Sequence, residues 1–345
     1  MESRPEIHTP TRIHFRALAE ALPGAQWKSL CERFWPSYRA WFLRQGAVAR
    51  ASFLECRRAL RQHMPELVPT WERLVELAGG GDVEARFLSL WCPPAYITGC
   101  SQAVWLPGEG DGSEPLLLRN YDFAPALLEG TWLHSNWSGQ RVAAMGDCLW
   151  GALDGLNESG LSASLSFGGR TVCGDGFGIP LVMRYVLEIA IDTASAIAIL
   201  QRVPVHMCYS VTLLDAKGDW ATVFLNPDRP AEVTRRRAVT NFQHAVEWPQ
   251  HAQATSACER LSALQARVES GAPAAAAVGA LLSAPLFQPA WLRGYGTLYT
   301  AVYAPRSGRV ELHWPGQHWP QALNAFEEGS RDIVYANEPP GAPNA

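Results

Sequence analysis

Cys100 stands where the texture of the chain changes, in Tyr96-Ile97-Thr98-Gly99-Cys100-Ser101, between a helical region and the first strand-like run. A thiol there can act as a nucleophile if a base takes its proton. As one of eight cysteines it can equally be a buried structural thiol. Nineteen residues later an apolar run ends in Leu118-Arg119-Asn120-Tyr121-Asp122-Phe123. Strand periodicity puts Arg119 and Tyr121 on one face and Asn120 and Asp122 on the other, as members of a site or as a surface ion pair. Leu153-Asp154-Gly155-Leu156-Asn157-Glu158-Ser159-Gly160-Leu161 reads as a turn between strands. In Val239-Thr240-Asn241-Phe242 a polar residue follows a β-prone run, and Glu259-Arg260-Leu261 lies on a helical pattern with Leu264 and Val268 as its stripe. Each of these signals is weak on its own.

These residues need elements to hold them. From about Ile13 to Trp91 the apolar spacing predicts helices, with Leu18, Leu22, Leu30, Phe34, Trp41 and Phe42, then Leu60, Met64, Leu67, Trp71 and Leu74 recurring three and four apart. Beyond Tyr96 short strand-like runs take over: 103–106, 116–121, 130–137, 161–167, 206–214 and 220–225. Helical stretches at 179–200 and 254–282 interrupt them, and a late hairpin, 297–303 with 310–314, brackets Pro305-Arg306-Ser307-Gly308. Strands and helices grouped in this way predict an α+β fold, with mostly antiparallel sheets and helices on their outer faces.

Composition narrows the function classes. Of 345 residues 48% are hydrophobic and 18% charged, which supports a large globular core. The net charge of -4 offers no general attraction to nucleic acid or an anionic membrane, so neither partner is expected. Residues 1 to 10 are polar and carry no signal-like apolar stretch, which predicts a cytoplasmic protein with reduced thiols. The cysteines form no CxxC pair and the nine histidines no HxxH or HExxH spacing, so no metal and no cofactor is expected. A Cys-His protease would need a histidine beside the thiol. His206 and His244 are the ones placed in the apparent catalytic region, and His206 opens a strand pattern.

Taken together and in order, the motifs resemble the N-terminal-nucleophile hydrolases of the acyl-CoA:6-aminopenicillanic acid acyltransferase family (peptidase family C45), relatives of bile salt hydrolases, penicillin V acylases and acid ceramidases. The resemblance rests on Gly99-Cys100, Arg119-Asn120-Tyr121-Asp122, Gly155 to Leu161, Ile179-Pro180-Leu181 with Arg184-Tyr185 and Leu187-Glu188, Thr240-Asn241, and Arg260-Leu261. It implies a four-layer αββα sandwich spanning residues 100–345, preceded by a helical region 1–99 that is cut off between Gly99 and Cys100 and stays bound as a small subunit. A new α-amino group, with a pKa near ~8, could then serve as the base for the thiol of the same residue. Carried over residue by residue, Asp122 would accept a hydrogen bond from the Cys100 amine, and Arg119 would stabilise the thiolate or orient the substrate. Asn241 would donate to the oxyanion and Arg260 would fix the site through a carboxylate. The second oxyanion asparagine of the bile salt hydrolases is missing from Ser164-Leu165-Ser166-Phe167, so Ser166 or a backbone N–H would stand in for it. The implied activity is that of a self-processing cysteine amidohydrolase or acyltransferase. It would act on an N-acyl amide or an acyl thioester such as acyl-CoA through an acyl-Cys100 intermediate. The alternative is an unprocessed binding or scaffold protein that keeps the fold.

Overall fold

A computed structural model describes residues 11–108, 112–291 and 294–335. The chain opens with strand β1 (Thr11–Glu20), followed by helices α1 (Ala25–Phe42), α2 (Phe53–His63), α3 (Val68–Leu77) and α4 (Asp82–Leu88). Six strands come next: β2 (Gly99–Trp105), β3 (Leu116–Phe123), β4 (Thr131–Ser135), β5 (Val142–Asp147), β6 (Gly151–Asn157) and β7 (Leu161–Phe167). Helices α5 (Ile179–Ile189) and α6 (Thr193–Arg202) lead to β8 (Tyr209–Asp215), β9 (Trp220–Leu225), β10 (Glu232–Thr234) and β11 (Ala238–Val239). Helices α7 (Pro249–Ala254), α8 (Ala257–Glu269) and α9 (Ala274–Leu281) precede β12 (Gly296–Ala304), β13 (Arg309–Trp314), β14 (Gln317–Ala322) and β15 (Gly329–Tyr335).

Two sheets carry these strands. One runs β10-β9-β8-β7-β6-β5-β4-β1-β15 and the other β11-β2-β3-β12-β13-β14. They pack face to face, with β2 and β3 lying against β7 and β8. Helices α5 and α6 cover the outer face of the first sheet, and α8 and α9 that of the second. The result is the four-layer αββα arrangement of an α+β fold. The main core fills the space between the sheets, and a smaller apolar cluster lies between the second sheet and α8 and α9.

The helical expectation from Ile13 onward begins too early. Ile13, Phe15 and Ala17 are buried at alternate positions, and the segment pairs with β4 on one side and β15 on the other. The four-residue spacing of Leu18 and Leu22 imitates a helix, but neighbours on both edges fix a strand. From α1 onward the helical reading holds. Helix α2 starts on a reciprocal cap, in which Ser52 accepts from Glu55 N–H while the Glu55 carboxylate takes Ser52 N–H. The turn expected at 153–161 is mostly strand. Residues 151–157 belong to β6, and the reversal is confined to Glu158-Ser159-Gly160, where Gly160 has φ +79°.

Candidate active site

Period two along β2 and β3 divides the site between two layers. On β2, Cys100 and Gln102 face the inter-sheet core, while Ser101, Ala103 and Trp105 face α8 and α9. On β3, Arg119 and Tyr121 face the core, while Asn120 and Asp122 face the helices. Antiparallel register sets Gly99 opposite Asp122 and Cys100 opposite Tyr121. The two ion pairs are therefore interior features and not surface ones: Arg119 with Asp154, and Arg260 with Asp122, are all fully buried.

On the core side, Arg119 Nη2 lies 3.3 Å from Cys100 Sγ. Its Nη1 donates to the Leu153 carbonyl at 2.6 Å and to the Asp154 carboxylate. Asp154 also accepts from the Tyr299 hydroxyl at 2.7 Å and from Tyr303. Burial alone would lower Arg119, but the Cys100 sulfur, Asp154 and Tyr299 outweigh it and hold the guanidinium firmly charged. The Cys100 thiol is pushed up by burial, with Arg119 opposing the shift by its charge and its hydrogen bond. Arg119 is thus a fixed cation whose free edge meets the thiol.

On the helix side, Arg260 from α8 gathers the strand ends. Its Nη1 reaches the Cys100 carbonyl at 2.7 Å, Ser101 Oγ at 2.7 Å and Asp122 Oδ2 at 3.2 Å, and its Nη2 reaches Asn241 Oδ1 at 2.7 Å. Asp122 also accepts from Thr297 Oγ1 at 2.7 Å. Burial raises the Asp122 carboxyl, against the opposing pull of Arg260 and Thr297. Asn241 follows β11 and brackets the Gly99–Cys100 peptide. Its Oδ1 accepts the Cys100 N–H at 3.1 Å, and its Nδ2 donates to the carbonyls of Thr98 and Phe167, each at 3.3 Å. Two donors on one end and two acceptors on the other fix which way the amide points.

The junction also borders a cavity of about 640 Å³ that is lined by Thr98, Gly99, Phe123, His251, Gln288 and Tyr295 among others. Gly99 has no room for a side chain: a Cβ there would lie 1.6 Å from the Tyr295 hydroxyl oxygen and 3.2 Å from Asp122 Cβ. That hydroxyl is buried and, among the described residues, has no hydrogen-bond partner. His251 is held neutral, pushed down to about 4 by burial and by Arg260.

The structure brings Cys100, Arg119, Asp122, Asn241 and Arg260 together. Ser166 sits one step away. Its hydroxyl donates to the Thr240 carbonyl at 3.1 Å and accepts from Gln102 Nε2 at 3.4 Å, so it braces β2 two residues past the thiol. In the intact chain the Cys100 nitrogen meets Asn241, not Asp122. His206 is engaged with the Gly174 carbonyl at 2.6 Å, and the exposed His244 pairs with Glu232. Asp154, Tyr295 and His251 were not singled out by sequence. Asp154 was hidden inside the supposed turn, although an acid in the alternation Ala152-Leu153-Asp154-Gly155-Leu156 is a readable sign of a buried partner. Among the described residues, no group of three or more His, Cys, Asp or Glu side chains is gathered to hold a metal ion. No helix among them is long and apolar enough to cross a membrane.

The sequence model of the family described as acyl-coenzyme A:6-aminopenicillanic acid acyl-transferase matches residues 108–319, well over half of the chain. The chain belongs to this family. Within the acyl-transferase match lie Arg119, Asp122, Asp154, Asn241 and Arg260, while Gly99 and Cys100 precede it. Among solved structures, penicillin V acylase from Agrobacterium tumefaciens aligns at 15% identity over 65% of this chain and 86% of that one, with a TM-score of 0.46. The Caenorhabditis elegans ortholog of N-acylethanolamine-hydrolyzing acid amidase aligns at 14% identity over 68% and 100%, also at 0.46. A mutant form of the conjugated bile acid hydrolase from Clostridium perfringens aligns at 11% over 67% and 96%, with a TM-score of 0.41. No curated protein matches the sequence.

Proposed function

We propose that this acyl-transferase family member is a self-processing cysteine amidohydrolase or acyltransferase that works through an acyl-Cys100 intermediate. The observation that carries the reading is the contact of Arg119 with the Cys100 thiol, 3.3 Å away at the start of a strand and directly after a glycine in van der Waals confinement. In processing, the Cys100 thiol adds to the Gly99 carbonyl. The peptide nitrogen leaves with the thiol proton, forming a thioester between Gly99 and Sγ. Water then cleaves the thioester, giving the Gly99 carboxylate and a free α-amine on Cys100. In turnover that amine takes the thiol proton and the thiolate attacks the acyl carbonyl. The departing amine or thiol receives the proton, and the acyl group passes from sulfur to water or to an amine.

Arg119 favours the thiolate, and Asp154 fixes Arg119. Asn241 is placed to turn its Nδ2 toward a developing oxyanion once the Thr98 carbonyl has moved away with the cleaved segment. Asp122 holds the new amine, a role supported by its position opposite Gly99 in the strand register. The eight cysteines are free thiols, in keeping with a reducing compartment such as the cytoplasm. The released segment, residues 1–99, remains attached through β1.

Intact-mass spectrometry tests the proposal directly. Cleavage before Cys100 should give fragments of roughly 11 and 27 kDa by chain length. Cys100→Ala should abolish both cleavage and turnover, whereas replacing each other cysteine leaves both. Turnover by a protein that shows the full-length mass alone would exclude the α-amine as the base. A persistently intact chain without turnover of N-acyl amides or acyl thioesters would leave the scaffold alternative.

A further inference from the structure

A second cavity, about 290 Å³, lies between α1 and the segment that links β3 to β4. Phe34, Trp41, Tyr96, Phe123 and Leu127 make it largely apolar and aromatic. Its polar wall is Tyr38, Glu129 and Asp147, with the two acids only 6% and 5% exposed. Two carboxyl groups in such a place require an explanation, because a buried charge without partners is costly.

Their hydrogen bonds fix a proton count. Tyr38 Oη lies 2.5 Å from Glu129 Oε1 and 2.7 Å from Asp147 Oδ1, and it accepts the Cys148 N–H at 3.0 Å. A phenol has one proton to give, so one of the two short contacts must be bridged by a proton on a carboxyl. Glu129 carries it, being pushed up to about 8 by burial and by the Asp147 charge. Glu129 then donates to the phenol, and the phenol donates to Asp147, whose own carboxyl burial also raises. The Leu149 N–H at 2.8 Å and the Cys148 N–H at 2.9 Å complete Glu129 Oε1 and Asp147 Oδ1. The other two oxygens, Glu129 Oε2 and Asp147 Oδ2, are buried and, among the described residues, have no hydrogen-bond partner. Tyr96 faces Asp147 and engages Tyr121 at 2.8 Å, Arg119 acts on Asp147 from the core side, and Arg33 stacks on Phe34 at the rim. Two acids that share one proton therefore stand in the wall of an aromatic cavity, their second oxygens closed off from it.

We propose that this cavity is a subsite for a primary ammonium borne on an apolar group, with the ammonium drawn to the charge that Glu129 and Asp147 share in its wall and the apolar group packing against Phe34, Trp41 and Phe123. Phe123 lines both this cavity and the one at Gly99, and along the run Tyr96 to Gly99 the first residue lines this cavity and the other three line the second. Cleavage after Gly99 would free the end of that run. Resting on the function proposed above, the ligand is then an amine-bearing portion of the acyl donor or acceptor used at Cys100. Carboxylate recognition selects the charged head, while ring faces contribute apolar contact and cation–π attraction.

Calorimetric titration tests binding apart from chemistry. The full-length Cys100→Ala chain and the wild-type protein are each titrated at pH 7 with 2-phenylethylammonium and with its neutral counterpart 2-phenylethanol. The ammonium should bind at least about tenfold more tightly, since only the charged head is attracted to the acids and to the ring faces. Glu129→Gln with Asp147→Asn should remove that preference and leave the alcohol's affinity unchanged. Glu129→Gln alone, which keeps the Leu149 N–H acceptor, should reduce it if the double variant does not fold. Equal affinity for the two probes, no binding of either, or a preference that survives substitution overturns the proposal. None of these readings depends on cleavage at Gly99, so failure here and failure of the Cys100 mechanism are separately visible.

Discussion

Asp154→Asn isolates the group that holds Arg119 against the thiol. In the native chain Arg119 and Asp154 are both fully buried, and Asp154 also accepts from Tyr299 and Tyr303. The substitution preserves shape but leaves a buried guanidinium without its counter-charge, and breaking such a pair costs about 3–5 kcal/mol. Domains of this kind are stable by about 5–15 kcal/mol, so urea denaturation followed by tryptophan fluorescence will show a lowered midpoint if the protein still folds. The charge explanation makes a second demand. Arg119→Met combined with Asp154→Asn removes the orphan cation and should recover on the order of 2 kcal/mol relative to Asp154→Asn. Activity should stay absent, since no cation then faces Cys100. A double variant no more stable than Asp154→Asn would assign the loss to the tyrosine hydrogen bonds and refute the role given to the ion pair.

Gly99→Ala should block cleavage, because the new methyl would overlap the Tyr295 hydroxyl, and Gly99→Ala with Tyr295→Phe should recover part of the cleaved mass. Asn241→Ala, assayed with residues 1–99 co-expressed beside a chain that begins at Cys100, should lower kcat by about a hundredfold with little change in the pH midpoint. A full-rate enzyme would return Asn241 to a structural turn. The native Glu129 carboxyl keeps its proton up to about 8, well above an ordinary glutamate. Native stability from this group is therefore present at low pH and is lost as pH rises from the glutamate range toward 8. The melting temperature of Glu129→Gln should accordingly gain on that of the wild type between pH 5 and pH 9, and a constant difference would show that Glu129 is ionised throughout.

Much of the site was legible because strands expose their logic at period two. Arg119 and Tyr121 do share a face, as do Asn120 and Asp122, and each pair meets a different layer. Local spacing could not say that the polar residues point inward. A strand buried on both faces has no solvent side to betray it, so Arg119 with Asp122 looked as much like a surface pair as a site. Asp154 escaped because Gly155, Asn157 and Gly160 carry turn chemistry, and only cross-strand pairing shows that the turn is three residues wide. Strand β1 escaped because Leu18 and Leu22 imitate a helix when its two partners, more than a hundred and three hundred residues away, are out of view. Tyr295 reaches the junction from a loop and His251 from the short helix α7, and no local pattern encodes where either of them lands. The α+β class was easier, since strands and helices come in separate blocks, while the αββα layering was implied by the family resemblance and not by spacing.

The position of β1 bears on the order in which the molecule is made. Among the described residues β15 has β1 as its only neighbour in the sheet, so the last described strand is fastened to the first. During synthesis the antiparallel partner of β1 is absent until residues 329–335 emerge, so the nine-stranded sheet can be finished only then. A ribosome-bound chain lacking those residues would present an open strand edge, a template for the wrong partner. Once paired, the first and last described strands lock each other in place. A cut at residue 99 would then divide the covalent chain without dividing the sheet.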